Sequence, residues 1–235
     1  MRGVPALTPP PRRGLRRVGH KGADHIVPGN TPESFDAALA AGVDMIEFDV
    51  LPDGDRLVLA HDGDHVSGAI TLDEGLAHLA PTAVELDVDL KLPGYEARVV
   101  DALREHGLVE RTLVSTQWMR SLVAIRAIEP RLRLGWSVPR VKRDYAASPL
   151  LAAPAYVLLA RLKRQLPAAA RRHLAAGRCD AVMAHWRTVT PRLVETVAAA
   201  GGELYVWTVD DAERIRALEA MGVTGVITND PRLFG

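Results

Sequence analysis

VELDVDLK, residues 84–91, alternates apolar and charged side chains without a break. On an extended strand Val84, Leu86, Val88 and Leu90 share one face, and Glu85, Asp87, Asp89 and Lys91 the other. Taken alone, the stretch reads equally well as a half-exposed strand of an antiparallel sheet, where clean alternation is the rule. Its neighbours along the chain decide the matter. LRRVGH (15–20), VDMIEFDV (43–50), TLVST (112–116), RLRLGW (131–136), DAVMAH (180–185), ELYVWTV (203–209) and TGVIT (224–228) are further strand candidates, which makes eight in all. Helical patterns fill the connections at 32–41, near 72–79, 95–106, 119–128, within 149–176, 191–200 and 211–221. Strands separated by helices argue for a parallel sheet, and eight of them in 235 residues predict an α/β fold, the (β/α)₈ TIM barrel, as one domain over 1–235.

In that architecture both faces of each strand are enclosed, so inward carboxylates are not a solvated face. Glu47, Asp49, Asp89 and Lys91 fall near strand C-terminal ends, where barrel enzymes build their sites. Met45, Glu47 and Asp49 share one side of the 43–50 strand, with Ile46, Phe48 and Val50 on the other. Two carboxylates one pleat apart repel each other, and burying both ionised requires a cation or strong hydrogen-bond donors. A hard, oxygen-seeking ion such as Mg²⁺ or Ca²⁺ meets that need. His20-Lys21-Gly22 and His61-Asp62 bring two histidines from adjoining segments, and the set is equipment for metal-assisted phosphodiester chemistry. Local signals support the register: Thr31-Pro32-Glu33 is a capped helix start, and Gly42 a terminator at the other end.

HKG (20–22), NTPESF (30–35), IEFDV (46–50), AHD (60–62), DLK (89–91), VWTVDD (206–211) and GVITNDP (225–231), taken together and in order, resemble the glycerophosphodiester phosphodiesterase family. Only about the first 15 residues and 140–178 lie outside the resemblance. It implies a TIM barrel of the PLC-like phosphodiesterase type. The activity it implies is metal-dependent hydrolysis of glycerophosphodiesters to glycerol 3-phosphate and an alcohol. By position, His20 and His61 match the family's general acid/base pair, and Glu47, Asp49 and Asp89 its ligands for Mg²⁺ or Ca²⁺. Lys21, Lys91 and Trp207 match substrate-binding positions; Trp207 either walls a glycerol site or packs the core. The chemistry is consistent with this. A phosphodiester's negative charge repels nucleophiles, a cation and a lysine neutralise it, and two histidines divide the proton work.

The chain departs from the family pattern at Lys21, where arginine is usual, at Gly29, where glutamate usually precedes Asn30-Thr31, and at Asp89, where glutamate is usual. Lysine keeps the charge but loses the bidentate fork. Asp-x-Lys at 89–91 resembles the related sphingomyelinase D enzymes, which keeps a lipid such as a lysophospholipid open as substrate. Only about 26 residues separate Asp62 from Asp89, fewer than the family commonly has, so the site is expected to be open on that side.

The variable helical segment 140–178 carries an apolar run, 149–159, followed by Arg161, Lys163, Arg164, Arg171 and Arg172. Residues 149–172 fit either an amphipathic barrel helix with a solvated basic end or peripheral contact with an anionic membrane, and Pro154 and Pro167 argue against one continuous helix. Asn229 and Asp230 read as shaping a turn before Pro231, and His65, His78, His106 and His173 as surface residues. For His185 a pocket role and a structural role both stand.

With 29 basic and 29 acidic residues there is no overall field to draw a polyanion, so a nucleic-acid partner is not expected. Cys179 is the only cysteine, which excludes an internal disulfide. Residues 1–14, rich in proline and arginine, are expected to be disordered or extended and have no apolar core of signal-peptide length. Cytoplasmic residence is the default expectation. The leaving alcohol and the oligomeric state stay open, as does a rival class, a barrel that binds phosphorylated ligands without turning them over.

Overall fold

The eight expected strands all form, and a ninth joins them. The computed structural model describes residues 14–139 and 152–235, so most of the expected extended start at 1–14 and residues 140–151 of the long connection lie outside the described residues. The strands are β1 (Arg16–Gly19), β2 (Met45–Asp53), β3 (Arg56–Leu59), β4 (Glu85–Leu90), β5 (Thr112–Thr116), β6 (Arg133–Val138), β7 (Ala181–His185), β8 (Glu203–Trp207) and β9 (Gly225–Thr228). The helices are α1 (Pro32–Ala40), α2 (Leu72–Leu79), α3 (Glu96–Glu105), α4 (Met119–Ile128), α5 (Ala152–Ala175), α6 (Pro191–Ala199) and α7 (Ala212–Met221). β1 pairs in parallel with both β2 and β9, which closes the ring of eight parallel strands.

Period-two patterning places the two cores. Ile46, Phe48 and Val50 of β2, with Leu86, Val88 and Leu90 of β4, face the helices and are buried among Phe35, Leu76, Val99 and Leu103. Each such side chain contributes about 1.5–3 kcal/mol by leaving water. The inward residues Val18, Met45, Leu113, Ala181, Met183, Tyr205 and Ile227 fill the middle of the barrel. Towards the strand N-termini the interior turns polar: Arg16 and Arg133 both pair with Glu85, the latter at 2.9 Å, and Arg16 donates to the Tyr205 hydroxyl at 3.0 Å. Polar groups are thus buried at both ends of the barrel with an apolar plug between them, and the end that carries Glu47, Asp87 and Asp89 opens onto a cavity that His20 and His61 also line.

The register of β2 against β4 sets up that end. Glu47 lies directly beside Asp87, and Asp49 beside Asp89. Neighbouring strands run about 4.8 Å apart. Four carboxylates therefore occupy the corners of a small grid on two adjacent strands.

β3 is the element missing from the sequence reading. It pairs antiparallel with the end of β2, Val50 opposite Leu59 and Asp53 opposite Arg56, outside the ring. Gly54, at φ 57°, turns the chain where a side chain would be strained. The Asp53-Gly54 pair between apolar runs is a hairpin signal, and the hairpin delivers His61 to the barrel mouth.

The expectation that Pro154 and Pro167 would interrupt the helix is not met: α5 runs from Ala152 to Ala175 through both. Pro154 sits in the first turn, where the missing N–H has no intrahelical partner to lose. Pro167 removes one interior hydrogen bond, a cost of about 3 kcal/mol. Leu166, Ala170 and Leu174, a turn apart, stay buried against the barrel on that helix face and offset it. Of the four histidines read as surface residues only His65 is exposed. His78 pairs with Asp36 at 2.8 Å, His106 with Asp73 at 2.7 Å, and the half-buried His173 ring packs edge-on to Trp136.

Candidate active site

Glu47, Asp49 and Asp89 each present a carboxylate oxygen such that all three atoms lie within 4.8 Å of one another. Glu47 and Asp49 are buried and Asp89 half-buried. The loop 20–31 ties down the two from β2. The Lys21 backbone N–H donates to Glu47 Oε2 at 2.9 Å. Asn30 grips Asp49 twice: its amide nitrogen donates to Oδ2 at 3.1 Å, and its amide oxygen accepts from the Asp49 backbone N–H at 3.1 Å. Lys21 (φ 50°) and Asn30 (φ 59°) are also the described non-glycine residues held in the left-handed region. Such a conformation costs about 1–2 kcal/mol per residue. It is sustained by the Asn30 N–H donating to the Lys21 carbonyl at 3.0 Å, so the strain sits on the two residues that aim the carboxylates. Gly19 and Gly22 let this loop fold back over the strand: a side chain on Gly19 would meet the Gly22 carbonyl at 2.1 Å.

Opposed influences set the charges. Burial, reinforced by repulsion from Asp49, pushes the Glu47 carboxyl well above its ordinary range. Burial also acts to raise Asp49, but the Lys91 ammonium in contact with it overrides and holds it well below. Lys91 also pairs with Asp89 at 2.5 Å, and the two carboxylates raise the ammonium against the effect of its own burial. Asp87, one pleat below Asp89, is pushed up to about 8 by burial. Neither of its oxygens has a hydrogen-bond partner. An all-oxygen donor set from two adjacent strands, with further buried acceptor atoms left unpartnered, fits a hard divalent cation.

His20 ends β1 and is fixed from behind. Asp210 Oδ2 accepts from the Asn229 side-chain amide at 2.7 Å, and a carboxylate can only accept, so Asn229 must turn its oxygen towards His20. That oxygen lies 2.5 Å from His20 Nδ1, which therefore carries the proton. Nε2 is left as the acceptor, 3.8 Å from Glu47 Oε2. Burial lowers the imidazole's proton affinity despite the attraction of Asp49, which favours the neutral, basic form. Asp210 is itself anchored by the Asn229 backbone N–H at 2.8 Å and the Thr228 hydroxyl at 3.0 Å. Asn229 thus holds a histidine instead of merely shaping a turn, whereas Asp230 does cap the turn Pro231–Phe234.

His61 lines the same cavity and is half exposed, its Nδ1 3.4 Å from Asp62 Oδ2. The cavity has a volume of about 220 Å³ and is lined by His20, Glu47, His61, Asp87, Asp89 and Lys91 together with Ser115, Gln117 and Trp207. Trp207 lines the cavity, packs on the inner barrel cluster, and donates its indole N–H to the Met183 carbonyl at 2.8 Å. His185 sits edge-on to Trp207 and accepts from the Arg187 backbone N–H, outside the residues that line the cavity.

The Lys21 ammonium is engaged by Asp24 at 3.2 Å and is not part of the cavity lining. Asp24 also accepts from the Gly29 N–H at 2.8 Å, and a side chain at 29 would meet this carboxylate at 2.6 Å. Asp24 therefore occupies the space beside Gly29 and pairs with the cation at 21. Asn30, Asp210 and Asn229 fall within the motifs that carry the resemblance and Asp24 does not, but none of the four shows in the sequence which group it holds; those roles arise from contacts that the fold creates.

Three comparisons bear on this geometry. The family model described as "Glycerophosphoryl diester phosphodiesterase family" matches residues 20–90 and 71–233. A protein named "Glycerophosphodiester phosphodiesterase" from Caldanaerobacter subterraneus subsp. tengcongensis is 26% identical over 254 residues, covering 91% of this chain and 93% of its own. Among solved structures, a putative glycerophosphoryl diester phosphodiesterase from Agrobacterium tumefaciens superposes with a TM-score of 0.74 at 22% identity, covering 94% of this chain and 96% of its own. An Oleispira antarctica phosphodiesterase in complex with the product sn-glycerol-3-phosphate superposes with a TM-score of 0.72 at 21% identity, covering 93% of this chain and 94% of its own.

Proposed function

The chain belongs to the glycerophosphoryl diester phosphodiesterase family, a family of phosphoric diester hydrolases, and from that premise we propose that it hydrolyses glycerophosphodiesters to glycerol 3-phosphate and an alcohol by acid–base catalysis between His20 and His61. One observation carries the reading: His20 is held with Nε2 as the acceptor in a cavity that His61 also lines, together with Glu47 and Asp89 of the carboxylate triad. Glu47, Asp49 and Asp89 would hold Mg²⁺ or Ca²⁺, which neutralises phosphate charge and favours the crowded, more negative transition state.

The chain's own groups do the rest. His20 Nε2 takes the proton from the attacking hydroxyl, a water or the substrate's own, as the new phosphorus–oxygen bond forms. His61, exposed at the mouth where an alcohol can depart, gives a proton to the alkoxide as the old bond breaks. Lys91 adds positive charge beside the phosphate, Trp207 walls the glycerol, and Lys21 acts through its backbone N–H on Glu47.

A second reading, an acylated substrate such as a lysophospholipid, is favoured by α5. This helix contains no acidic residue, and Val157 (71% exposed) and Leu158 (53% exposed) stand beside the exposed Arg161, Lys163 and Arg164. That combination suits an acyl chain or an anionic membrane surface. Among the described residues no helix is long and apolar enough to cross a membrane.

The test is release of glycerol 3-phosphate from glycerophosphocholine and of choline from lysophosphatidylcholine, each with Mg²⁺, Ca²⁺ or EDTA. Turnover that EDTA abolishes is the expected result, and the better substrate decides between the two readings. Turnover of neither substrate with any metal would transfer the assignment to the rival, a barrel that binds without cleaving.

A further inference from the structure

Asp87 is the fourth corner of the carboxylate grid, and nothing described so far employs it. It is 1% exposed, lines the same cavity as Glu47 and Asp89, and both of its oxygens lack a hydrogen-bond partner. The Ser115 hydroxyl on the next strand is committed to Asp89 at 3.3 Å. A buried carboxyl with two idle acceptor atoms is unfavourable for folding, and an apolar residue there would suit the Met45–Leu113–Tyr205 plug beneath it better. Its use must lie in what occupies the cavity.

We propose that Asp87 is part of the cation site, accepting hydrogen bonds from water ligands on the buried side of the ion held by Glu47, Asp49 and Asp89; this rests on the reading that the triad holds a divalent cation. Asp87 does not fall in the set of oxygens that approach one another within 4.8 Å, so direct ligation together with the triad is not its place. A water between ion and carboxylate spans roughly 4–5 Å, a reach that a side chain beside Glu47 and one pleat below Asp89 can meet. Mg²⁺ in particular keeps several of its waters, and those facing the barrel interior need acceptors that an apolar plug cannot supply. Outer groups of this kind typically carry 10- to 100-fold in metal affinity.

Titration calorimetry with Mg²⁺ and with Ca²⁺ on the EDTA-treated full chain tests this, comparing wild type with Asp87→Asn and Asp87→Leu. Thermal unfolding of the same metal-free proteins is the second readout. The expected result is a tenfold or greater loss of affinity in both variants, while the metal-free variants unfold at the wild-type temperature or above it. Wild-type affinity in either variant overturns the proposal. So does an affinity loss matched by a lower unfolding temperature without metal, since that is what a structural group would show. If wild type binds no divalent cation, the proposal falls together with the metal reading beneath it. If wild type binds metal and releases glycerol 3-phosphate while Asp87→Asn binds equally well, this inference alone fails.

Discussion

His20→Ala is expected to lower kcat by about 10²–10⁴-fold while leaving cation affinity within a few-fold of wild type, because it removes a proton acceptor and no ligand. The Asp210–Asn229 pair fixes the tautomer, so the lost catalysis is specifically that of Nε2, the nitrogen facing Glu47. Asn229→Ala is the graded companion. The ring remains, but nothing specifies which nitrogen carries the proton, and a kcat loss of about 10- to 100-fold with little change in KM is expected. The pH–rate profile separates this from a general loosening: Asn229 helps raise the proton affinity of His20, so without it the acidic limb, which the base sets, should shift to lower pH, whereas a merely destabilised variant would lose amplitude at an unchanged midpoint. A His20→Ala protein that retained wild-type kcat would remove the histidine from the mechanism.

Asp49→Asn should be as damaging by a different route. Asp49 is fully buried, belongs to the triad, accepts from Asn30 and is paired with Lys91. Neutralising it weakens the cation site by at least about 100-fold, beyond what outer groups supply, and activity falls with it at any practical metal concentration. The same substitution leaves Lys91 buried with Asp89 as its remaining partner, and breaking a buried pair costs about 3–5 kcal/mol. Calorimetric affinity together with the denaturant midpoint of the metal-free protein checks both halves. Retained affinity would place the ion elsewhere in the barrel.

Much of this was legible in the sequence, and the reason differs from element to element. β4 could be read because period-two alternation reports directly which side chains share a face, and the enclosing β/α rhythm settled that both faces were covered. TLVST and the 119–128 helix fall on their observed bounds because each is bracketed by sharp local boundaries. β3 escaped because four residues carry almost no periodic signal, and the Asp53-Gly54 turn that marks it is a local cue inside a loop. The groups that hold the site escaped for a stronger reason: Asn229 serves a histidine 209 positions away and Asn30 a carboxylate 19 positions away. Neither contact has a period, so neither can be read before the ring closes. The substitution at 29 shows the same limit in miniature. A missing carboxylate looks like a loss along the chain, but Asp24, five residues earlier, fills the space that Gly29 leaves open.

The hairpin that carries His61 separates what evolution can vary from what it must keep. His20 and three carboxylates sit on or beside strands of the closed ring, where a one-residue insertion would reverse every side chain beyond it. Among the described strands β3 pairs with β2, and it also bridges to Ile70 and Thr71 just before α2, so the segment between β3 and α2 is tethered at both ends to elements outside that ring. Lengthening that segment costs only about 0.6 kcal/mol per doubling in loop closure. New substrate contacts can therefore be grafted beside one of the two proton-handling groups without renegotiating the barrel, and the short version present here is the minimal edition of an expandable gatehouse.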